Sequence, residues 1–228
     1  MSAPIVNQLT NELIAQWRSF QNRMAKLRQK LDFTRAHYYL TQQCEPVLGS
    51  VEPGIAWTVK GLYGATLVTR NLPICDVDRP AARATELEAV LEEWRTHVGS
   101  AHEASGYSFR VYKTFGGLRV ICTSRTVDLE NEPDAAWFRA IGAAIQADRA
   151  YMVISGRQKC CRARLCPKPS QFRWGQGAWL LKLSNRGRVR ACKFKRVVGA
   201  DEVLEELREQ ISFHDHQTEA IDSDKELV

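Results

Sequence analysis

The chain lacks any apolar run long enough to cross a membrane, because its apolar stretches are short and interrupted by charged residues. A spanning helix needs about 20 consecutive apolar residues, so we expect no membrane partner. No basic segment followed by an apolar run opens the chain, which predicts no signal peptide and a cytoplasmic location. The seven cysteines then indicate reduced thiols or metal ligands rather than a disulfide framework.

Acidic residues are absent from the stretch 149–200, which holds fourteen lysines and arginines. They return after position 200, so the net charge of the whole chain is only +6. Clustered basic charge is typical of proteins that bind nucleic acid, although many enzymes are equally basic. An acidic end could shield this basic stretch when no partner is bound.

Four segments follow from the patterning. Apolar residues spaced by three and four predict an amphipathic helix over 9–31, within an N-terminal helical extension, 1–50, that could dock a protein partner. An α+β core covers 51–165. A basic β-hairpin (179–184 with 188–196) and a helix complete the domain over 166–213. The acidic tail, 214–228, is predicted to be disordered.

The core reads as strand, strand, helix, strand, strand, helix, strand. This order predicts an RNA-recognition or ferredoxin-like topology, in which one sheet carries helices on one face and leaves the other face free for a site. The predicted strands are 65–70, 72–77, 107–114, 118–124 and 151–155, and the predicted helices are 81–98 and 133–147.

Two carboxylates end one apolar strand in the stretch LPICDVD. Asp76 and Asp78 are two residues apart, so both point to the same side of a strand. Such a pair suits Mg²⁺ or Mn²⁺, which bind one or two carboxylates together with substrate phosphates. Alternatively, Asp78 caps the following helix and the pair has no chemical role.

A glycine turn follows in the stretch YKTFGGLRVI. Gly116 and Gly117 would let backbone N–H groups approach a phosphate, Thr114 offers a hydroxyl, and Arg119 offers a planar guanidinium. An ordinary hairpin whose turn needs glycine is the alternative.

These two motifs resemble the catalytic core of the archaeo-eukaryotic primase (primase–polymerase) superfamily over residues 55–165. LPICDVD matches its Asp-x-Asp strand, and TFGGLR matches its Thr/Ser-x-x-Gly-Gly-x-His motif, with Arg119 where histidine is expected. The resemblance implies metal-binding aspartates, a nucleotide-binding turn and a third acidic residue, for which Asp148 is the first candidate and Asp128 the second. Arginine still binds phosphate but does not titrate near neutral pH, so we expect nucleotide binding, rather than turnover, to survive this replacement.

Further candidates lie in the basic stretch. Arg162 and Arg164 would share a strand face, with Lys168 close behind, and could hold a triphosphate or a template strand. Interleaved aromatics suit stacking on single-stranded bases or, equally, a core of the hairpin; they are Phe172, Trp174 and Trp179.

Cysteines and histidines give weaker signals. Four cysteines could form a zinc site: Cys160, Cys161, Cys166 and Cys192. They lack paired C-x-x-C spacing and two of them are adjacent, so ordinary buried thiols are favoured over a zinc site. His214 and His216 are predicted to be surface residues.

The leading interpretation is a nucleotidyltransferase of the primase–polymerase type that acts on a DNA or RNA template with nucleoside triphosphates. Asp76, Asp78 and Asp148 would be catalytic, and the first two would hold the metal. The alternatives are a non-catalytic nucleic-acid-binding module of the same fold and a metal-dependent nuclease.

Overall fold

The computed structural model describes residues 47–61, 64–78, 84–97, 106–166, 189–221 and 226–227. The chain divides into two compact units, 1–43 and 44–228, and every described residue belongs to the second. The predicted helix 9–31 therefore lies outside the described residues, as does the first strand of the predicted hairpin, 179–184. No helix in the described ranges combines the length and apolar character needed to cross a membrane.

Ten strands and four helices make up the described part of this unit. The strands are β1 (Val47–Glu52), β2 (Ala56–Gly61), β3 (Gly64–Thr69), β4 (Ile74–Val77), β5 (Phe109–Thr114), β6 (Leu118–Cys122), β7 (Cys161–Arg164), β8 (Val189–Arg190), β9 (Cys192–Val198) and β10 (Glu226–Leu227). The helices are α1 (Ala84–His97), α2 (Glu132–Ala144), α3 (Arg149–Gln158) and α4 (Glu205–Thr218).

The fold is α+β, as predicted, with two antiparallel four-stranded sheets. The first sheet has the order β1-β2-β3-β7 and the second has the order β4-β6-β5-β9. A short parallel pair joins β8 to β10. The core contains the apolar stripes predicted for α1 and α2, including Leu87, Leu91, Trp137, Phe138 and Ile141.

The second sheet contains part of the predicted ferredoxin-like pattern. Strand β6 lies between β4 and β5, and α1 lies between β4 and β5 in the chain. A ferredoxin-like sheet would also pair the strand after the second helix with β4. Here β7 pairs with β3 of the first sheet, and β9 completes the second sheet beside β5. The single predicted sheet is thus replaced by two.

Side chains join the free edges of β4 and β7. The Tyr151 hydroxyl donates to the carbonyl of Ile74 (2.9 Å) and accepts from the backbone N–H of Arg162 (3.0 Å). Nη1 of Arg119 donates to the carbonyl of Arg164 (3.0 Å). These bonds satisfy backbone groups that a strand ladder would otherwise pair, so the two sheets remain connected at this junction.

Helix α4 covers the sheet face that we expected to be free. The ring of His214 packs edge-on against Tyr112, with centroids 5.0 Å apart. Arg110 forms an ion pair with Asp215 at 2.8 Å. One turn earlier, Gln210 reaches the first sheet, where its side chain bonds that of Thr69 at 2.6 Å. The expectation of an open sheet face is therefore wrong for this part of the second sheet.

Two further expectations differ from the structure. Residues 151–155 are helical, not extended, because Asp148 caps the N-terminus of α3 through the N–H of Ala150 and Lys159 ends the helix in a left-handed conformation. Residues 214–218 belong to α4, and residues 226–227 form β10, so the predicted tail is partly ordered structure. Strand β9 corresponds to the second strand of the predicted basic hairpin and pairs with β5, whereas the first strand of that hairpin, 179–184, lies outside the described residues.

Candidate functional site

Asp76 and Arg119 face each other across neighbouring strands. The antiparallel register of β4 and β6 pairs the two residues directly, so their side chains project from the same face. Nε of Arg119 donates to Oδ1 of Asp76 at 2.8 Å, and Nη2 donates to Oδ2 at 3.3 Å. Both carboxylate oxygens are thus engaged by one guanidinium, in the forked geometry that makes such pairs strong.

Arg119 is the centre of a buried polar network. Its side chain is only 4% exposed, whereas that of Asp76 is 29% exposed. Burial by itself would lower the pKa of Arg119, but the charge and hydrogen bonds of Asp76 outweigh it, so the pKa is raised. The guanidinium therefore stays charged. Its remaining Nη1 protons are used by the carbonyl of Arg164 and by His214, so Arg119 has a structural role here.

His214 is a site residue that the sequence reasoning missed. It is fully buried, which contradicts our prediction of a surface histidine; His216 is exposed as predicted. Nε2 lies 3.2 Å from Nη1 of Arg119, which can only donate. Nε2 must then accept, and Nδ1 carries the proton that it donates to Oδ1 of Asp215 at 2.9 Å. Burial, assisted by the Arg119 charge, lowers the pKa of His214 despite the opposing effect of Asp215.

A helical period was the available signal for this burial. Leu207, Ile211, His214 and Thr218 are spaced by four, three and four, and all are buried on one face of α4. This period was missed because positions 214 and 216 were assigned to the predicted acidic tail.

The structure brings Asp78 to the glycine turn. Asp78 is exposed, and a Cβ placed on Gly116 would lie 3.8 Å from its Oδ1. The turn is closed by the N–H of Thr114, which donates to the carbonyl of Gly117 at 2.9 Å. Neither glycine has a positive φ, so the backbone conformation of this turn does not require glycine.

Asp148 also lies beside Asp76, but through its backbone. Its N–H donates to the carbonyl of Asp76 at 2.8 Å. Its side chain accepts from the N–H of Ala150 at 2.8 Å and so caps α3. Asp128, the second candidate, accepts from the N–H of Glu130 in the turn before α2. Both side chains therefore have local backbone roles.

The carboxylate of Asp76, paired with Arg119, does not fit a divalent metal centre as it is arranged. An ion bound to Oδ1 of Asp76 at about 2.1 Å would lie within about 5 Å of Nε of Arg119, given the 2.8 Å hydrogen bond. The repulsion between them would be about 7 kcal/mol at an effective dielectric constant of about 20. Over the described ranges, no group of three or more acidic, histidine or cysteine side chains is placed to hold a metal ion.

Arg162 and Arg164 lie on β7 as predicted, opposite Val68 and Thr66 of β3. Both side chains are half-buried. Nη1 of Arg162 donates to Oε1 of Gln158 at 3.0 Å, so this guanidinium has a partner within the protein. Lys168 lies outside the described residues, together with the aromatics Phe172, Trp174 and Trp179.

The adjacent cysteines at the start of β7 belong to different clusters. Cys160 packs with Val59 and Val68, whereas Cys161 belongs to the main core. Burial raises the pKa of Cys160 to about 11 and that of Cys161 to about 12. Neutral buried thiols on opposite sides of one strand do not converge on a zinc ion.

A pair of lysines at the hairpin end of the second sheet was not anticipated. Lys113 on β5 lies directly opposite Lys193 on β9, and both are exposed. Among the described residues, neither has an acidic partner. Farther along β9, Lys195 is paired with Glu88 of α1 at 2.8 Å. The pair could not be found from sequence because its two strands are far apart in the chain.

Comparison of the chain with protein-family models, with curated proteins and with solved structures gives no match. Function is therefore inferred from the geometry of these residues alone.

Proposed function

We propose that the chain is a nucleic-acid-binding module that holds the phosphate backbone at the Lys113–Lys193 pair and does not use its aspartates for metal chemistry. The observation that carries the proposal is the direct pairing of two exposed lysines on neighbouring strands, neither of which has an acidic partner among the described residues. Like charges placed directly opposite each other destabilise a sheet. A bound phosphate group converts that repulsion into two attractive contacts.

The surroundings of the pair support this proposal. On the same strand, Lys195 and Arg196 both form ion pairs with Glu88 of α1, whereas no ion pair of this kind involves Lys193 among the described residues. The net charge of +6 favours approach of a polyanion. The structural use of Asp76 and Arg119 argues against a metal-dependent transferase or nuclease at this site.

Salt-dependent binding of a labelled single-stranded oligonucleotide tests the proposal. The variant K113Q/K193Q should weaken binding by about tenfold or more and reduce the slope of log K against log salt by about 1.4, since each single-strand phosphate contact contributes about 0.7. The control R139Q/R208Q removes two exposed cations that are paired with glutamates of their own helices. It has the same net charge and should bind nearly as wild type; equal losses in both variants would refute the assignment of the site.

Incubation with labelled DNA, Mn²⁺ and nucleotides separates binding from catalysis. We expect the DNA to keep its length. Extended products would support the nucleotidyltransferase and shortened products the nuclease, provided that D78N abolishes them. Asp78 is the suitable position because it is exposed, so its substitution leaves the buried network intact.

A further inference from the structure

An exposed aromatic side chain stands at the tip of the β5–β6 hairpin. Phe115 is 57% exposed, although phenylalanine ordinarily buries its ring. The other aromatics of the same sheet are used internally: Tyr112 is fully buried and packs against Phe194 at 5.6 Å. Every other aromatic side chain in the described ranges is buried or half-buried. Its ring is therefore available to a partner.

Phe115 is close to the proposed phosphate contact. It follows Lys113 by two residues, and two residues of extended chain span at most about 7 Å. The turn that carries it is held by the 2.9 Å bond between Thr114 and Gly117, and β5 is paired on both sides, with β6 and β9. Phe115 and the two lysines thus belong to one continuously hydrogen-bonded part of the sheet.

We propose that Phe115 stacks on an unpaired base of a single strand whose phosphate is held by Lys113 and Lys193, so that the chain prefers single-stranded to duplex nucleic acid. The inference rests on the proposed function and adds the class of ligand. A base can stack on a protein ring only when its own face is open, and in a duplex both faces are covered by neighbouring base pairs. Aromatic stacking beside basic residues is a recurrent mode of single-strand binding, and it tolerates every base because each has a π face.

Three ligands and two variants at Phe115 test the inference. The ligands are a single strand, the duplex of the same sequence, and an abasic phosphodiester strand of the same length, which has the charges but no bases. F115L keeps an apolar side chain but removes the ring, whereas F115W keeps a ring that stacks at least as well. DNA and RNA versions of the single strand distinguish the two sources of unpaired bases.

F115L should weaken binding of the single strand by about fivefold or more, with no change for the duplex or the abasic strand and no change in the salt slope. F115W should retain the affinity, and its indole fluorescence should change when the single strand is added. K113Q/K193Q should weaken binding of all three ligands. Affinity for the single strand that is unchanged in F115L, or equal losses on the base-containing and abasic strands, would overturn the stacking contact.

Failure of the proposed function has a different signature. If the wild-type protein binds none of the three ligands at low salt, or if K113Q/K193Q binds them as the wild type does, the phosphate site itself is wrong. If K113Q/K193Q loses affinity while F115L does not, the phosphate site stands and only the single-strand inference is refuted.

Discussion

Removing either partner of the Asp76–Arg119 pair should destabilise the protein markedly. R119M deletes the cation and leaves Asp76 without its two hydrogen bonds of 2.8 and 3.3 Å. It also removes the donor to the carbonyl of Arg164 and to His214. D76N keeps the shape of the side chain but leaves a buried guanidinium without a counter-charge. Each change therefore produces an uncompensated buried group.

The magnitude follows from the burial of the two side chains. Breaking a buried ion pair by removing one partner costs about 3–5 kcal/mol. Asp76 is 29% exposed and Arg119 only 4%. Water can therefore reach the carboxylate in R119M, so we expect this variant to lose about 3 kcal/mol of unfolding free energy, near the lower limit of that range. The guanidinium in D76N stays buried, so we expect this variant to lose about 4 kcal/mol of unfolding free energy.

Urea unfolding followed by circular dichroism measures these costs for both single variants and for the double variant. The double variant should lose about 2 kcal/mol less unfolding free energy than the two single variants added together, because both single changes break the same interaction. The matched exposed pair Arg208–Glu205 should show single costs below about 1 kcal/mol, as surface ion pairs do. Costs below about 1 kcal/mol at Asp76 and Arg119, or strict additivity, would refute the structural role of the pair.

Other perturbations give distinct outcomes. Y151F should lower the free energy of unfolding in urea by about 1–2 kcal/mol, because the hydroxyl joins β4 to β7. An unchanged free energy of unfolding would show that this hydroxyl does not hold the two strands together. The pKa of His214 is lowered in the folded protein, so the unfolded chain binds more protons than the folded one. The free energy of unfolding should therefore fall as the pH drops below 6.5, the pKa of histidine in the unfolded chain. H214Q should abolish this decline and H216Q should not. G106A, at φ +70° with its Cβ 2.7 Å from a carbonyl oxygen, should destabilise strongly, whereas G116A should be nearly neutral; equal thermal shifts would refute this contrast. Millimolar Mn²⁺ should leave the melting temperature of the wild type unchanged, and a marked rise would show that a metal site forms after all.

Much of the local structure could be predicted from short-range patterns. The apolar spacing of α1 and α2 indicated their buried faces correctly because a helix presents residues three and four apart on one side. The strand that carries Asp76 and the glycine turn near Asp78 were also placed correctly. The segment 151–155 was misassigned because a short apolar run does not distinguish a strand from a helix, and the caps at Asp148 and Lys159 decided the matter.

The roles of the candidate residues depended on contacts between distant segments. Whether Arg119 faces solvent phosphate or Asp76 is set by the pairing of β4 with β6 and by the helix α4 that closes over them. The same is true of Lys193, which acquires its partner Lys113 only because β9 joins β5. Spacing along the chain contains no information about which strands become neighbours.

Composition and periodicity alone were therefore enough to establish an α+β protein with a basic segment and two acidic residues at a strand end. They could not show that one of those acids is neutralised by a buried arginine, that a histidine near the C-terminus completes the core, or that two lysines from separate strands meet on the surface. Side-chain burial and charge pairing arise from long-range packing, because strand pairing and register depend on which side-chain faces pack together in the folded protein.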